Sequence, residues 1–184
     1  MIIAISGTPG TGKTVVSKII AKKTGANLIR IRDMIDEIPH EIDKKRDTFV
    51  VDTRDLQKAI KKKLKKGDNI IEGHLSHMLE ADIIIILRTN PVELQKRLKK
   101  KGWKKSKTDE NVKAEILDSA TIEAVQLHGR KKILEIDTSK KTAEQTAKAI
   151  EKVLNRFSRK KKVTKYQPGK IDWSEKYRKY LVSK

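Results

Sequence analysis

The chain has 184 residues, enough for one domain with a substantial hydrophobic core. It contains no cysteine, which excludes disulfides and thiolate metal sites, and its four histidines lack the spacing of a zinc site. The 44 Lys and Arg against 24 Asp and Glu give a net charge of +20, which leaves two explanations open: a surface that meets nucleic acid or a ribonucleoprotein, or the lysine enrichment of a thermophilic or strongly solvated surface.

The first element is an apolar run at residues 1–5, which predicts a buried strand and lacks the charged region of a signal peptide. The sequence GTPGTGKT follows at residues 7–14 and fits G-x-x-x-x-G-K-[ST], the phosphate-binding loop of nucleoside triphosphatases. A helical pattern continues over residues 15–23. Strand, glycine loop and helix turn a row of backbone N–H groups toward one point, so the sequence predicts nucleotide binding.

The residue types in this loop match that chemistry. Gly10 and Gly12 allow the backbone to touch a phosphate, and the positive end of the following helix favours the anion. Lys13 can reach the β- and γ-phosphates of ATP, and the Thr14 hydroxyl is placed for Mg²⁺.

Further apolar runs predict four more strands, at residues 27–31, 69–72, 81–87 and 132–136. Helical patterns predict helices from Asp52 or Thr53 to Gly67, from Asn90-Pro91 through Leu98, over 109–127, and over 143–157. Residues 32–37 indicate a short helix or loop, and residues 39–49 indicate polar, irregular structure. The alternation predicts an α/β fold: a five-stranded parallel sheet with helices on both faces.

Ligands of such sheets bind at the carboxyl ends of the strands. Glu72 ends one predicted strand, where a carboxylate can organise Mg²⁺ or water; the alternative is a carboxylate that caps a neighbouring loop. His74 follows and can orient or deprotonate an attacking water, or it simply fills a turn. Both are candidate catalytic residues together with Lys13.

A basic, glycine-bearing segment at residues 99–111 has the character of a lid, which closes over a site and places a cation on the transferred phosphate. The alternative is a basic surface loop. Arg97, near its root, can reach phosphate or stack on a base, or it is a solvated helix residue.

The tail at residues 158–184 breaks the α/β pattern. It carries ten Lys and Arg, two acidic residues and four of the chain's seven aromatic residues. Disordered tails are poor in aromatics, so this segment is expected to dock, either on its own domain or on a partner, where stacking on bases is one option.

Several motifs together resemble a known family. The loop at residues 7–14, the sequence IIEGH at 70–74, LRTN at 87–90, and the spaced Arg97, Gly102-Trp103-Lys104, Asn111 and Glu115 are similar to the small adenylate-kinase-like ATPases. These occur in archaea and as a nuclear adenylate kinase isoenzyme in eukaryotes, and act in late maturation of the small ribosomal subunit. The resemblance covers about residues 1–155.

The resemblance implies a P-loop nucleoside monophosphate kinase domain at residues 1–157, with a monophosphate-binding segment at about 30–51 and a lid at about 100–110. It implies that ATP is held by a set of loop and lid residues: Gly10, Gly12, Lys13, Thr14, Val15 and Lys101. It further implies AMP or another nucleoside monophosphate as acceptor near Asp33. From the residues themselves, Thr14 and Glu72 are the predicted Mg²⁺ ligands and Arg97 is a candidate for binding the substrate. Arg54, or alternatively Arg30 or Arg32, is a candidate for gripping the acceptor phosphate.

The family transfers phosphate between ATP and AMP, hydrolyses ATP and binds a small-subunit ribosomal protein, so a ribosomal protein and pre-ribosomal RNA are the implied partners. By analogy we expect a monomer. No apolar run approaches the roughly 20 residues of a membrane span, so we expect no membrane association and a cytoplasmic location.

The sequence departs from the family pattern at two sites. Many adenylate kinases carry an arginine three residues after the aspartate equivalent to Asp33, and this chain has Asp36 there. Lys101 stands where relatives often have arginine, so a point charge replaces a bidentate fork. Three functions therefore stay open: a kinase that also hydrolyses ATP, an ATP-driven ribosome assembly switch, and another small-molecule P-loop kinase of cytidylate, shikimate or gluconate type.

Overall fold

The computed structural model of the chain describes residues 1–43 and 48–182. Its strands are β1 Ile2–Ser6, β2 Asn27–Arg30, β3 His40–Asp43, β4 Thr48–Val51, β5 Asn69–Glu72, β6 Ile83–Arg88 and β7 Ile133–Asp137. Its α-helices are α1 Lys13–Thr24, α2 Thr53–Lys63, α3 Pro91–Lys100, α4 Lys105–Ile116, α5 Ser119–His128, α6 Ala143–Ser158 and α7 Lys179–Val182. A 3₁₀ helix, Ile31–Glu37, follows β2.

Five strands form a parallel sheet in the order β2-β5-β1-β6-β7. Consecutive parallel strands need crossover helices, which explains why strand and helix patterns alternate along the chain. β6 is buried along its whole length, as a strand inside a two-sided sheet must be. The predicted fold and all five predicted strands are confirmed, with ends that shift by two residues or fewer.

The alternating side chains of these strands build a hydrophobic core on each face of the sheet. On one face, Ile3, Ile5 and Leu87 pack against α1 and α6. On the other, Ala4 and Ile84 pack against α5, while β2 and β5 pack against α2. Helices therefore cover both faces, and the carboxyl edge of the sheet between them stays available for a site.

The structure corrects the prediction for residues 39–49, which are not irregular. β3 and β4 pair antiparallel, with His40 opposite Val51 and Ile42 opposite Phe49. Among the described residues the two strands pair only with each other, and Ile42, Phe49 and Val50 are exposed. Because the side chains described for this hairpin leave neither face buried, its sequence lacks the alternation that normally identifies a strand. Part of the segment, residues 44–47, lies outside the described residues.

The structure also corrects the predicted helix at 109–127, which is two helices. α4 begins at Lys105, and the chain breaks at Asp118, whose φ of 53° is left-handed. An aspartate tolerates that conformation, and its carboxylate accepts a hydrogen bond from Arg88 Nη2. A tertiary contact therefore ends the helix. Within the segment predicted as a lid, only residues 101–104 lie between helices α3 and α4.

The C-terminal arm, residues 167–182, packs on its own domain. Tyr177 is 8% exposed and joins an apolar cluster with Leu94, Leu98, Val112 and Ile116 of α3 and α4. Its hydroxyl accepts a hydrogen bond from Asn90 Nδ2 at 2.6 Å. Of the two docking modes that the sequence leaves open, the structure therefore shows the intramolecular one. Over residues 1–43 and 48–182, every helix is too short or too polar to cross a bilayer.

Candidate functional site

The glycine loop joins β1 to α1 at the carboxyl edge of the sheet. Gly7, Gly10 and Gly12 have φ values of 132°, 94° and 98°, which residues with a Cβ rarely adopt. A Cβ on Gly7 would lie 2.3 Å from the carbonyl oxygen of Leu87, so a larger residue there would displace β6. Gly12, the residue before α1, provides no side-chain cap, so the first amides of this helix are suited to bind an anion.

Lys13 is buried against this loop. Its Nζ donates to two loop carbonyl oxygens, at 2.7 Å and 3.1 Å. Burial lowers the pKa of Lys13 to about 8, the carboxylates of Glu72 and Glu115 oppose this shift, and the charge of Lys101 adds to it. Lys101 and two carboxylates therefore lie within electrostatic reach of the Lys13 ammonium.

Thr14 and Glu72 come together because β5 pairs in parallel with β1, with Glu72 opposite Ile5. Thr14 Oγ1 donates to Glu72 Oε1 at 3.1 Å, and Glu72 is buried. A hydroxyl and a carboxylate are the hard oxygen donors that Mg²⁺ prefers. The two residues that were predicted as a metal site therefore adjoin each other, and their chemistry fits this cation.

His74 lies on the turn that follows β5. Its Nδ1 is 3.3 Å from the Gly7 carbonyl oxygen, the same atom that accepts from Lys13 at 2.7 Å. Desolvation and, after it, the charge of Lys13 lower the pKa of His74, so the imidazole is neutral near pH 7. A neutral imidazole beside a phosphate loop can accept a proton or orient water.

Three further predicted binding residues surround the loop. Val15, in the first turn of α1, is 55% exposed, and Lys101 is exposed at the end of α3. Arg97 donates to Thr138 through Nη1 to the hydroxyl at 3.3 Å and through Nη2 to the carbonyl at 3.1 Å. Thr138 Oγ1 in turn donates to the Thr11 carbonyl at 3.2 Å, so Arg97 is linked to the loop through one residue.

The other two predicted substrate residues are held elsewhere. Asp33 accepts from both Nε and Nη2 of Arg30, at 2.6 Å and 2.7 Å. Arg54 is exposed at the start of α2 and pairs with Asp52 at 3.1 Å. In the described parts of the chain, these ion pairs lie within the predicted monophosphate-binding segment and the helix after it, and they do not connect to the phosphate loop.

Sequence reasoning missed the role of Glu115, a buried carboxylate on α4. Its Oε2 accepts from the loop hydroxyl of Thr8 at 2.5 Å, and its Oε1 accepts from Arg88 Nε at 2.8 Å. Arg88 also donates to Glu135 at 2.5 Å and to Asp118. Burial by itself would lower the pKa of Arg88, but the charges of the three carboxylates have the larger effect, so the pKa is raised. The strand-end position of Arg88 is visible in the sequence, but no spacing indicates its partners.

Comparison with known proteins agrees with this geometry. A family model described as "AAA domain" matches residues 3–118. A protein of Thermococcus kodakarensis named "Putative adenylate kinase" is 38% identical over 178 residues, which cover 96% of this chain and 95% of the relative. A protein of Methanocaldococcus jannaschii with the same name is 38% identical over 185 residues, which cover 99% of this chain and 98% of the relative.

Solved structures of two kinases share the fold. Thymidylate kinase from Candida albicans has a TM-score of 0.53 at 16% identity and covers 85% of this chain and 92% of its own. Deoxyadenosine kinase from M. mycoides has a TM-score of 0.52 at 18% identity and covers 85% of this chain and 100% of its own. At such identities the likeness concerns the P-loop kinase architecture alone.

Proposed function

This chain belongs to the AAA-domain family and is related over nearly its full length to archaeal proteins named "Putative adenylate kinase", and we propose that it transfers the γ-phosphoryl group of ATP to AMP or another nucleoside monophosphate. The same site also hydrolyses ATP when water replaces the acceptor. The convergence of Lys13, His74 and the Thr14–Glu72 pair on one glycine loop carries this proposal.

Each residue has a separate role in this mechanism. Gly10, Gly12 and the first amides of α1 bind the phosphates of ATP, and the Lys13 ammonium stabilises the negative charge on the transferred group. Thr14 and Glu72 would hold Mg²⁺, which neutralises phosphate charge when bound. His74 orients the acceptor hydroxyl or water and can take its proton. Val15 offers an apolar contact to the nucleotide, and Lys101 brings a second cation to the phosphates.

The proposal also assigns three residues to binding of the phosphate acceptor. Arg97, linked to the loop through Thr138, contacts ATP or the acceptor phosphate. Asp33 positions the acceptor through Arg30, whose guanidinium it already holds. Arg54 is exposed and supplies a cation in place of the arginine that Asp36 replaces.

The test is separation of the nucleotides formed from Mg²⁺ and ATP, with and without AMP. We expect ADP in excess of the hydrolysis control, made at the expense of AMP, and at least about a hundredfold loss of turnover in Lys13→Ala. Lys18→Ala, an exposed lysine on the same helix, is the matched control and should keep full turnover. Retained activity in Lys13→Ala contradicts the site assignment. Phosphate release that ignores AMP, thymidylate, cytidylate and shikimate alike contradicts a kinase.

The one-sided charge of +20 favours a second, compatible function. Together with the sequence resemblance, it supports the proposal that the ATP cycle serves maturation of the small ribosomal subunit through contacts with a ribosomal protein and pre-ribosomal RNA. The exposed run at residues 159–162, Arg-Lys-Lys-Lys, is suited to phosphate contacts. If so, RNA affinity falls steeply with salt and differs between the ATP and ADP states. Equal affinities in the two states argue against an ATP-driven switch.

A further inference from the structure

His77 is a buried histidine with no part in the mechanism above. It is 1% exposed and lies on the turn after β5, three residues beyond His74. Its Nδ1 is 2.8 Å from Ser6 Oγ and 2.9 Å from the His74 carbonyl oxygen. Its Nε2 is 2.8 Å from Glu123 Oε2 on α5. Both ring nitrogens are thus engaged, on opposite sides, by elements that are distant in sequence.

The partners of His77 decide which nitrogen carries the proton. An ionised carboxylate only accepts hydrogen bonds, so Nε2–H donates to Glu123. Burial lowers the pKa of His77, and the hydrogen bond to Glu123 opposes that shift without reversing it, so the ring carries one proton near pH 7. Nδ1 is then an acceptor, and its hydroxyl neighbour, Ser6, is the group that donates to it. The His74 carbonyl oxygen only accepts, so in this tautomer it lies beside Nδ1 without a hydrogen bond to it. Glu123 therefore fixes the tautomer of His77, which in turn orients the Ser6 hydroxyl.

Residues that contact His77 adjoin, in sequence or in space, the contact between His74 and the phosphate loop. Ser6 is fully buried and is the residue directly before Gly7, whose carbonyl oxygen lies 3.3 Å from His74 Nδ1. Ser6 Oγ also lies 2.9 Å from the His74 carbonyl oxygen. The Ser6 hydroxyl has one proton, so donation to the His74 carbonyl and donation to His77 are alternatives, and both join the end of β1 to the turn that carries His74. His77 in turn joins this turn to Glu123 of α5.

We propose that Glu123, His77 and Ser6 form a hydrogen-bond relay that positions His74 against the phosphate loop. This inference rests on the proposed function, in which His74 orients the acceptor or water. His77 is a positioning residue, because it is 1% exposed and its two ring nitrogens face Ser6 and Glu123. Loss of the relay leaves the nucleotide-binding loop complete and lets the His74 turn move.

Two amide substitutions separate the two sides of the ring. In His77→Asn the amide lies near the position of Nδ1 and preserves the contact with Ser6, whereas in His77→Gln it lies near the position of Nε2 and preserves only the contact with Glu123. We expect kcat to fall about tenfold in His77→Gln with KM for ATP unchanged, and less than about threefold in His77→Asn. Gln126→Ala, exposed on α5, is the control and should match the unmodified protein. Equal kcat in both His77 variants overturns the relay.

A double-mutant cycle distinguishes positioning from a general structural role. If His77 acts through His74, adding His77→Gln to His74→Ala lowers kcat by less than about twofold further. A full, multiplicative loss overturns the proposal, and so does a His74→Ala variant with unimpaired turnover. If His77→Gln does not fold, Ser6→Ala and Glu123→Gln, which leave the imidazole in place, take its position in the cycle.

The ¹⁵N spectrum of the imidazole rings tests the proposed hydrogen bonds of His77 independently of turnover. We expect the proton of His77 on Nε2 and a Nδ1 resonance that shifts in Ser6→Ala. A proton on Nδ1, or a spectrum that Ser6→Ala leaves unchanged, overturns the relay. Absence of turnover in the unmodified chain contradicts the proposed function instead, so the two failures are distinguishable.

Discussion

At the scale of single residues, the phosphate loop depends on a lysine that is kept in an unusual environment. Burial disfavours the charged form of Lys13, whereas the carboxylates of Glu72 and Glu115 favour it. Two loop carbonyl oxygens also accept hydrogen bonds from its Nζ. Its pKa of about 8 lies close to physiological pH, whereas an exposed lysine titrates far above it. Binding of an anion at the loop therefore competes with loss of the proton.

We predict that ATP binding to the free protein depends on pH through Lys13. Below its pKa of about 8 the ammonium is present and the dissociation constant is flat; above it the neutral amine must be recharged, so the constant rises by up to about tenfold per pH unit. Calorimetric titration with ATP in buffers of different ionisation enthalpy measures both the constant and the proton uptake.

The control for this prediction is Lys13→Arg, because a guanidinium keeps its charge throughout this range. If that variant binds ATP, its dissociation constant should stay flat where that of the unmodified protein rises. A flat profile for the unmodified protein up to about pH 9.5 contradicts the assignment.

At the scale of elements, the C-terminal arm completes a core that α3 and α4 cannot close alone. Tyr177 packs between these helices, with Trp173 and Tyr180 at ring-centroid distances of 6.2 Å and 5.9 Å. The amide of Gly169 donates to Glu135 Oε2 at 2.7 Å, which ties the arm to β7 as well. The arm thus braces α3 and α4, the two helices that flank residues 101–104.

We predict that Tyr177→Ala lowers the free energy of unfolding by about 3 kcal/mol, since it removes a buried ring and leaves a cavity. Tyr177→Phe should cost only about 1 kcal/mol, the contribution of one hydrogen bond to Asn90. Urea denaturation measures both. Arg178→Ala, on the exposed neighbour, should stay within about 0.5 kcal/mol. A Tyr177→Ala variant as stable as this control would show that the arm does not brace the domain.

At the scale of the whole molecule, one buried arginine connects the central sheet to helices α4 and α5 and to the C-terminal arm. Arg88 at the end of β6 contacts Glu115 of α4, Asp118 before α5 and Glu135 of β7. Its Nη1 also lies 3.4 Å from the Ile171 carbonyl of the arm. Through Glu115 and the Thr8 hydroxyl, this network extends to the phosphate loop. The packing of α4, the docking of the C-terminal arm and the conformation of the phosphate loop therefore all involve contacts of Arg88 and its carboxylate partners.

We predict that Glu115→Ala lowers the free energy of unfolding by about 3–5 kcal/mol, because it leaves buried Arg88 short of a partner. The comparison is Glu93→Ala, which breaks a partly exposed ion pair with Arg97 and should cost less than about 1 kcal/mol. Urea denaturation of the two variants gives the difference. Similar losses in both would contradict the central role of Arg88.

Much of the fold follows from local pattern, and the misses have physical causes. Asn90 followed by Pro91 predicts the start of α3 correctly, because the cap acts within three residues. The end of α4 was not predictable, because the partner that holds Asp118 in a left-handed conformation is Arg88, 30 residues earlier. The β3–β4 hairpin was missed because the side chains described for it leave neither face buried, so no constraint makes apolar and polar residues alternate.

Local sequence patterns were enough to predict the phosphate loop, the five-stranded sheet and the candidates Lys13, Thr14, Glu72 and His74, because glycine spacing, apolar runs and strand ends are local properties of the chain. The folded chain was needed to show where the arm docks, how Arg88 and its carboxylates are joined, and that His77 lies between Ser6 and Glu123. Those contacts link residues far apart in sequence, and burial, which no local pattern records, determines their strength.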